Sequence, residues 1–252
     1  MDTDPFRVFL DMQLALPRNA PGSDRSTAHV LGLVGGLPSE PEILAMGCGQ
    51  GAEVMTLLRE TKGRVTAVDM LKPFLARLEE KADAAGITGE RLLTVCSDFA
   101  ALDLPEGYFD LIWSEGAIYT LGFEDGLKDW GRYLKPGGLL VASEASWLTE
   151  TPDDEPKRFW EQAYPSMGTV AENVERAARA GFDCLATWTL PAEDWWTDYY
   201  QPLVPEIEKA RIAFAGDPGV EAMLAEEETE IRLFERFSDQ YGYVFYVLKK
   251  HE

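Results

Sequence analysis

EILAMGCGQG, residues 42–51, runs from strand-forming apolar residues into glycines at alternate positions, Gly47, Gly49 and Gly51. The following GAEVMTLLRET places Val54, Leu57 and Leu58 on one face of a helix. A strand that breaks into GxGxG before a helix is expected to turn backbone N–H groups and the positive helix end toward a ligand, with no side chains in the way. A glycine-rich turn can also serve only to reverse the chain, so the next strands carry the decision. RVTAVDM closes with Asp69 and Met70, where a carboxylate can accept both ribose hydroxyls of an adenosine-containing cofactor. LLTVCSD leads into Ser97, Asp98 and Phe99, and Asp98 is placed to accept from an adenine amino group. Three successive strand ends that each offer a suitable group point to one shared site.

Outward from this stretch, strand-like and helix-like runs alternate, as βαβ units of a mostly parallel sheet do. LKPFLARLEEKADAAG is a helix with Phe74, Leu75 and Leu78 toward the sheet, FDLIWSE a fourth strand, GFEDGLKDWGRYL a helix, and GLLVASEASW a fifth strand after an LKPGG turn. TVAENVERAARAGF is a further helix, CLATWTL a sixth strand and GYVFYVLKK a seventh. Between the last two strands lies an insertion over about residues 191–238, far longer than the usual connection of about 2–6 residues. Its end, VEAMLAEEETEIRLFERF, spaces Val220, Met223, Leu224, Ile231, Phe234 and Phe237 helically, and the acidic run Glu226 to Glu228 is expected on a solvated face. The reading is one α/β domain over 1–252: an N-terminal helical cap (1–40), a cofactor-binding core (41–150), and a C-terminal half (151–252) whose insertion forms a lid.

The chain of 252 residues is 46% hydrophobic and carries no apolar run long enough, about 18 residues, to span a bilayer. The start MDTDPFRVFLDMQ lacks the basic opening of a secretory signal, so a cytoplasmic location is expected. Cys48, Cys96 and Cys184 form no CxxC pair, and there are two histidines, which leaves little material for a metal site; none is expected. A formal charge of -21, from 44 acids against 23 bases, disfavours nucleic acid and anionic membranes as partners and is compatible with a small or cationic substrate.

GCGQG, the acid of AVD, the SDF after the third strand and the LKPGG before the fifth together resemble class I S-adenosylmethionine-dependent methyltransferases. WSEGAIY, SEASW and GYVFY are similar, more narrowly, to a group of bacterial members, and the likeness covers most of the chain from about Gly22. It implies a doubly wound, seven-stranded, mostly parallel sheet whose last strand is antiparallel. S-adenosylmethionine would lie across the carboxyl ends of the first strands and leave as S-adenosylhomocysteine. Gly47, Cys48, Gly49, Gly51, Asp69, Met70, Ser97, Asp98, Phe99 and Ser114 are the expected cofactor-binding residues. A dinucleotide fold would place the third glycine one residue later and would cradle a pyrophosphate, so a nucleotide-dependent oxidoreductase is the weaker alternative.

One departure stands out. Members of the family usually carry an acid where this chain has Ala45, and that acid helps to hold the cofactor's amino group. Glu42 lies three positions along the strand and so on the opposite face; Glu53, Ser23, Asp24 and Arg25 are candidate replacements. An acid restored at 45 is expected to tighten binding, and its loss keeps alive a catalytically impaired cofactor-binding or regulatory protein of the same fold.

Methyl transfer from a sulfonium is an in-line displacement, which asks for alignment and for removal of a proton when the acceptor is neutral. Residues after the fourth strand overhang the reactive end of the cofactor. Glu115 is therefore the expected orienting group or general base, with Tyr119 beside it and Glu144 as a second carboxylate on the rim. Trp147, Trp195, Trp196, Tyr199 and Tyr200 could wall a small-molecule acceptor pocket or simply pack, and an exposed aromatic lid could pair two copies as a homodimer.

Overall fold

The computed structural model describes residues 4–87 and 89–251; residues 1–3 of the expected cap and residue 252 lie outside them. Strands β1 (Glu42–Met46), β2 (Arg64–Asp69), β3 (Leu92–Cys96), β4 (Phe109–Glu115), β5 (Leu134–Trp147), β7 (Phe182–Thr189) and β8 (Tyr241–Lys250) follow the spatial order β3-β2-β1-β4-β5-β8-β7. A two-residue strand, β6 (Gly168–Thr169), pairs beside β5. Strands β1 to β5 run parallel, and β8 is antiparallel to both of its neighbours. The expected seven-stranded, doubly wound sheet is thus present, with β6 as an addition the sequence did not signal.

Helices cover both faces of the sheet, which is why EILAM reads as a continuous apolar run rather than an alternating one. Ile43, Ala45, Trp113, Val141 and Phe245 belong to one core; Leu44, Met46, Ile112, Leu140 and Tyr246 belong to the other. The alternation is that of successive side chains along a strand. Helices α3 (Ala52–Glu60), α4 (Lys72–Ala84), α5 (Phe123–Gly131) and α7 (Val170–Arg179) make the crossovers and their flanks. A capping box, Thr169 with Glu172, starts α7 by answering two of its otherwise unpaired N–H groups.

The chain order reverses between β1 and β4, and the gap that this leaves at their carboxyl ends is where a ligand can enter. Two sets of helices close over it. The N-terminal set is α1 (Pro5–Ala15), started by Asp4 and Pro5, and α2 (Asp24–Leu33), started by Ser23, whose Oγ accepts the Ser26 N–H at 3.1 Å. The second set is the insertion: α8 (Ala192–Trp195), a π-helical turn (Trp196–Tyr200), α9 (Gln201–Ala213) and α10 (Pro218–Phe237). Helix α1 packs on α9 and α10, so cap and lid form one roof. Asp194 pins α2 to the insertion, accepting from the Ser23 hydroxyl at 2.7 Å and from the Ser26 hydroxyl.

Three expectations need correction. The LKPGG segment is not a free turn: it already runs beside β4 as the start of β5, and the register shifts between Phe109 and Leu111. Helix α6 (Asp154–Ala163) occupies a segment to which the sequence assigned no element. The acidic run does not share one solvated face, because consecutive helical residues are turned by about 100°. Glu226 is exposed and Glu228 pairs with Arg211 at 2.7 Å, while Glu227 turns inward.

Candidate functional site

A cleft of about 520 Å³ opens at the tips of β1, β2, β3 and β4, a size that suits a small organic ligand. Gly47, Cys48, Gly49, Gly51, Asp69, Met70, Ser97, Asp98 and Phe99 all line it, as do Glu115 and Tyr119. The convergence expected of successive strand tips is present.

The glycine loop works differently from the expectation. All five of its N–H groups are taken within the protein: Gly47 and Cys48 donate to the Val68 carbonyl, Gly49 to Asp69, Gln50 to Asn19 and Gly51 to Cys48. The glycines are needed because protein, not ligand, crowds the loop. A Cβ at Gly47 (φ +67°) would lie 2.2 Å from the Ala117 side chain, and one at Gly51 (φ +77°) 2.3 Å from Leu78. The tight bend lets the loop after β4, the cap and α4 meet around the cleft. It offers no donors of its own to an anionic group.

Asp69 is 9% exposed; Oδ2 accepts the Gly49 N–H and Oδ1 the Leu71 N–H, each at 2.8 Å. Burial holds its carboxyl above the usual aspartate range, and these backbone donors oppose the shift. One Asp98 oxygen accepts the Ala100 N–H at 2.9 Å and starts a short 3-10 turn. Burial, followed by repulsion from Glu53 and Asp69, pushes the Cys48 thiol well up, so this cleft cysteine is a small filler rather than a nucleophile.

Ser114 does not line the cleft and is a correction: its neighbours Trp113 and Glu115 face the cleft side of the sheet, so strand alternation sends Ser114 to the other. It is 1% exposed, with an Oγ that finds no partner among the described residues. Glu144 is displaced in the same way. Ala145 lines a second, smaller chamber that adjoins the cleft, whereas Glu144 lines neither space. Its Oε1 accepts the Tyr164 hydroxyl at 2.5 Å, Oε2 has no partner among the described residues, and burial pushes its carboxyl up to about 7. It is not a rim carboxylate.

Glu115 does reach the cleft wall, but three donors hold it: Arg18 Nη2 at 2.8 Å, Thr27 Oγ1 at 2.7 Å and Trp113 Nε1 at 2.9 Å. With Arg18 side-chain exposure at 7% and Glu115 at 3%, this is a buried ion pair. Arg18 comes from the loop after α1 and Thr27 from α2, so Glu115 clasps the cap to the sheet. Glu115, the expected orienting group or general base, is thus a carboxylate already engaged by three donors of the protein. Tyr119 is the freest of the three candidates: its hydroxyl makes no hydrogen bond to a described residue, and it stands where the cleft meets the chamber.

Ala45 is fully buried, facing the cleft side of β1 beside Trp113 in register on β4, and does not line the cleft. Ala45→Asp is therefore expected to cost about 3 kcal/mol or more of stability, as a buried carboxylate without partners does, and to leave cofactor affinity unchanged rather than improved. Thermal melts with calorimetry check this; tighter binding would show that the strand acid can reach the ligand.

Glu53 is the acid that does face the cleft. It sits in the first turn of α3, is 7% exposed, and its carboxylate has neither a hydrogen bond nor an ion pair to another described side chain. Burial, then repulsion from Glu115, pushes it up to about 8 against the pull of Arg18. A cationic guest at this point would relieve an unbalanced carboxylate. The sequence missed Arg18, Asn19 and Ala20, which reach the cleft from the loop after α1, and Leu71 and Phe74 at the start of α4. PRN could have been read as a turn, but nothing local shows which cleft it crosses.

A doubly wound α/β protein with a nucleoside-sized, acid-lined cleft at its switch point is the class that fold and site define. Residues 43–138 match the family model described as a methyltransferase domain. The 2-methyl-6-phytyl-1,4-hydroquinone methyltransferase of Synechocystis sp. is 28% identical over 188 residues, covering 68% of this chain and 57% of that protein. The sterol 24-C-methyltransferase of Eremothecium gossypii is 27% identical, covering 71% of this chain and 50% of that one. The chain thus spans about half the length of these curated relatives. Among solved structures, a SAM-dependent methyltransferase from Geobacter sulfurreducens in complex with S-adenosyl-L-homocysteine superposes with a TM-score of 0.82 at 18% identity, covering 100% of both chains, a likeness of fold. Residues 43–138 thus resemble a methyltransferase domain, set in a fold shared with S-adenosylmethionine-dependent methyltransferases.

Proposed function

We propose that the protein transfers a methyl group from S-adenosylmethionine to a small molecule by direct in-line displacement. The charge of the cleft carries this reading. Glu53, Asp69, Asp98 and Glu115 line it against one base, Arg18, and the glycine loop has no free N–H to give. A pyrophosphate would meet repulsion there and find no free N–H in the glycine loop, which weakens the case for a nucleotide-dependent oxidoreductase. A ligand carrying an ammonium and a sulfonium meets acceptors instead.

In this reading Asp69 takes the ribose hydroxyls, Asp98 the adenine amino group, and Glu53 the ammonium, a duty that Ala45 cannot perform. When bound, the cofactor supplies a methyl carbon made electrophilic by positively charged sulfur. Glu115 and Arg18 hold the cap over the cleft and exclude water; Tyr119 orients the acceptor. Tyr119→Phe is expected to keep cofactor affinity and lower turnover by about tenfold or more, read as release of S-adenosylhomocysteine. Incubation with methyl-labelled cofactor and fractionated metabolites tests the whole reading. Tight cofactor binding with no labelled product from any fraction would favour a cofactor-binding regulator, the reading that the engaged Glu115 keeps in view.

The location is proposed as cytoplasmic: Cys48, Cys96 and Cys184 are all unpaired, as in a reducing compartment, and among the described residues no helix is long and apolar enough to cross a membrane. The net charge of -21 supports a partner list without nucleic acid. The chain is read as one domain with residues 1–40 as cap and about 191–238 as lid. Pairing of two copies through the lid remains a proposal for sedimentation to test.

A further inference from the structure

Beyond the cleft lies a second cavity, of about 250 Å³, roofed by the cap and lid and floored by β5 and β8. Asn19, Ala20, Gly116 and Tyr119 line both spaces, so the two are continuous past Tyr119. Its wall is aromatic, with Trp195, Tyr199 and Tyr243 among the residues that line it, and no Lys, Arg or His contributes. Two acids do: Glu227 and Glu230, one turn apart on the inward face of α10. Glu230 accepts the Tyr200 hydroxyl at 2.8 Å, whereas the Glu227 carboxylate has no hydrogen bond or ion pair to a described residue. Burial, and then repulsion from Glu230 and Glu226, pushes Glu227 up to about 7. The indole N–H of Trp195, 2% exposed, also lacks an acceptor among the described residues.

Aromatic faces attract cations, and partly desolvated carboxylates without a counter-ion demand one. We propose that this chamber is the acceptor site and that it selects a small amine with an apolar body, the body against the aromatic wall and the nitrogen answered by Glu227. The proposal rests on the methyltransferase reading and names its substrate class. An amine arriving as an ammonium ion gives one proton to the Glu227 carboxylate. The freed nitrogen lone pair forms the N–C bond as the C–S bond breaks, and that electron pair stays on sulfur, which becomes a neutral thioether. The positive charge passes to nitrogen, and the proton on Glu227 leaves to solvent with the product.

The test uses benzylamine and phenethylamine against benzyl alcohol and phenethyl alcohol, which match them in size and lack the charge. Binding is read by tryptophan fluorescence, and turnover by S-adenosylhomocysteine release. The amines are expected to bind at least tenfold more tightly than the alcohols. Glu227→Gln is expected to abolish that preference while cofactor affinity, measured by calorimetry, stays unchanged and reports an intact fold; Glu230→Gln serves as a second variant. Equal binding of amines and alcohols would overturn the inference, and so would labelled product from alcohols alone, which would leave the methyltransferase reading standing. Selective amine binding with no cofactor binding would uphold the chamber and sink that reading instead.

Discussion

Glu115→Gln is expected to loosen the cap from the sheet before it alters any chemical step. The substitution leaves Arg18, whose side chain is 7% exposed, without its counter-ion, and breaking a buried pair from one side costs about 3–5 kcal/mol. For a chain of this size the melting temperature should fall by on the order of 10 °C. Proteolysis near residues 16–22 should quicken, and cofactor affinity should drop because the cap forms part of the cleft wall. Adding Arg18→Met to Glu115→Gln should recover much of the stability, since the stranded charge is then gone. A variant with unchanged melting and affinity but lost turnover would return Glu115 to the role of general base.

Glu53→Gln should move stability and binding in opposite directions. Without ligand the variant is expected to melt higher at neutral pH, since a buried carboxyl that must take up a proton on folding has been removed, while its affinity for S-adenosylmethionine falls by about tenfold or more, the worth of a charge-assisted hydrogen bond. The sign of the pH dependence follows from the raised carboxyl. Between the ordinary value of 4.5 and about 8, the folded protein holds a proton that the unfolded chain has released. Wild-type stability therefore falls, relative to the variant, as pH rises across that window, and the difference levels off above it. Binding of an ammonium should expel this proton, so calorimetry of the wild type near pH 7 in two buffers of different ionisation enthalpy should show proton release that the variant lacks. Equal affinity in the two proteins would remove Glu53 from the cofactor site.

These expectations depend on distinctions that run along single strands. The places of Asp69, Asp98 and the glycines on the cleft wall were legible because they follow from strand-end position, which is a local property. Ser114 and Glu144 were misplaced because a position one residue off reverses the face, and the sequence alone does not say which face of β4 or β5 bounds the cleft. The loop N–H groups were misread for a related reason: their acceptors, Val68, Asp69 and Asn19, come from other parts of the chain. Glu227 was hidden in a run of acids that only the packing of α10 against the cap could divide.

By itself, the order of apolar runs, glycines and strand-end acids determined the doubly wound sheet, its switch point and the strand tips that line the cleft. Periodicity and backbone sterics act over a few residues and leave their mark in local sequence. The tertiary structure alone decided that Glu115 clasps Arg18 and Thr27, that Glu53 stands unbalanced in the cleft, and that α10 turns two carboxylates into an aromatic chamber. Each of those is a matter of charge and burial, and burial exists only once distant segments have come together.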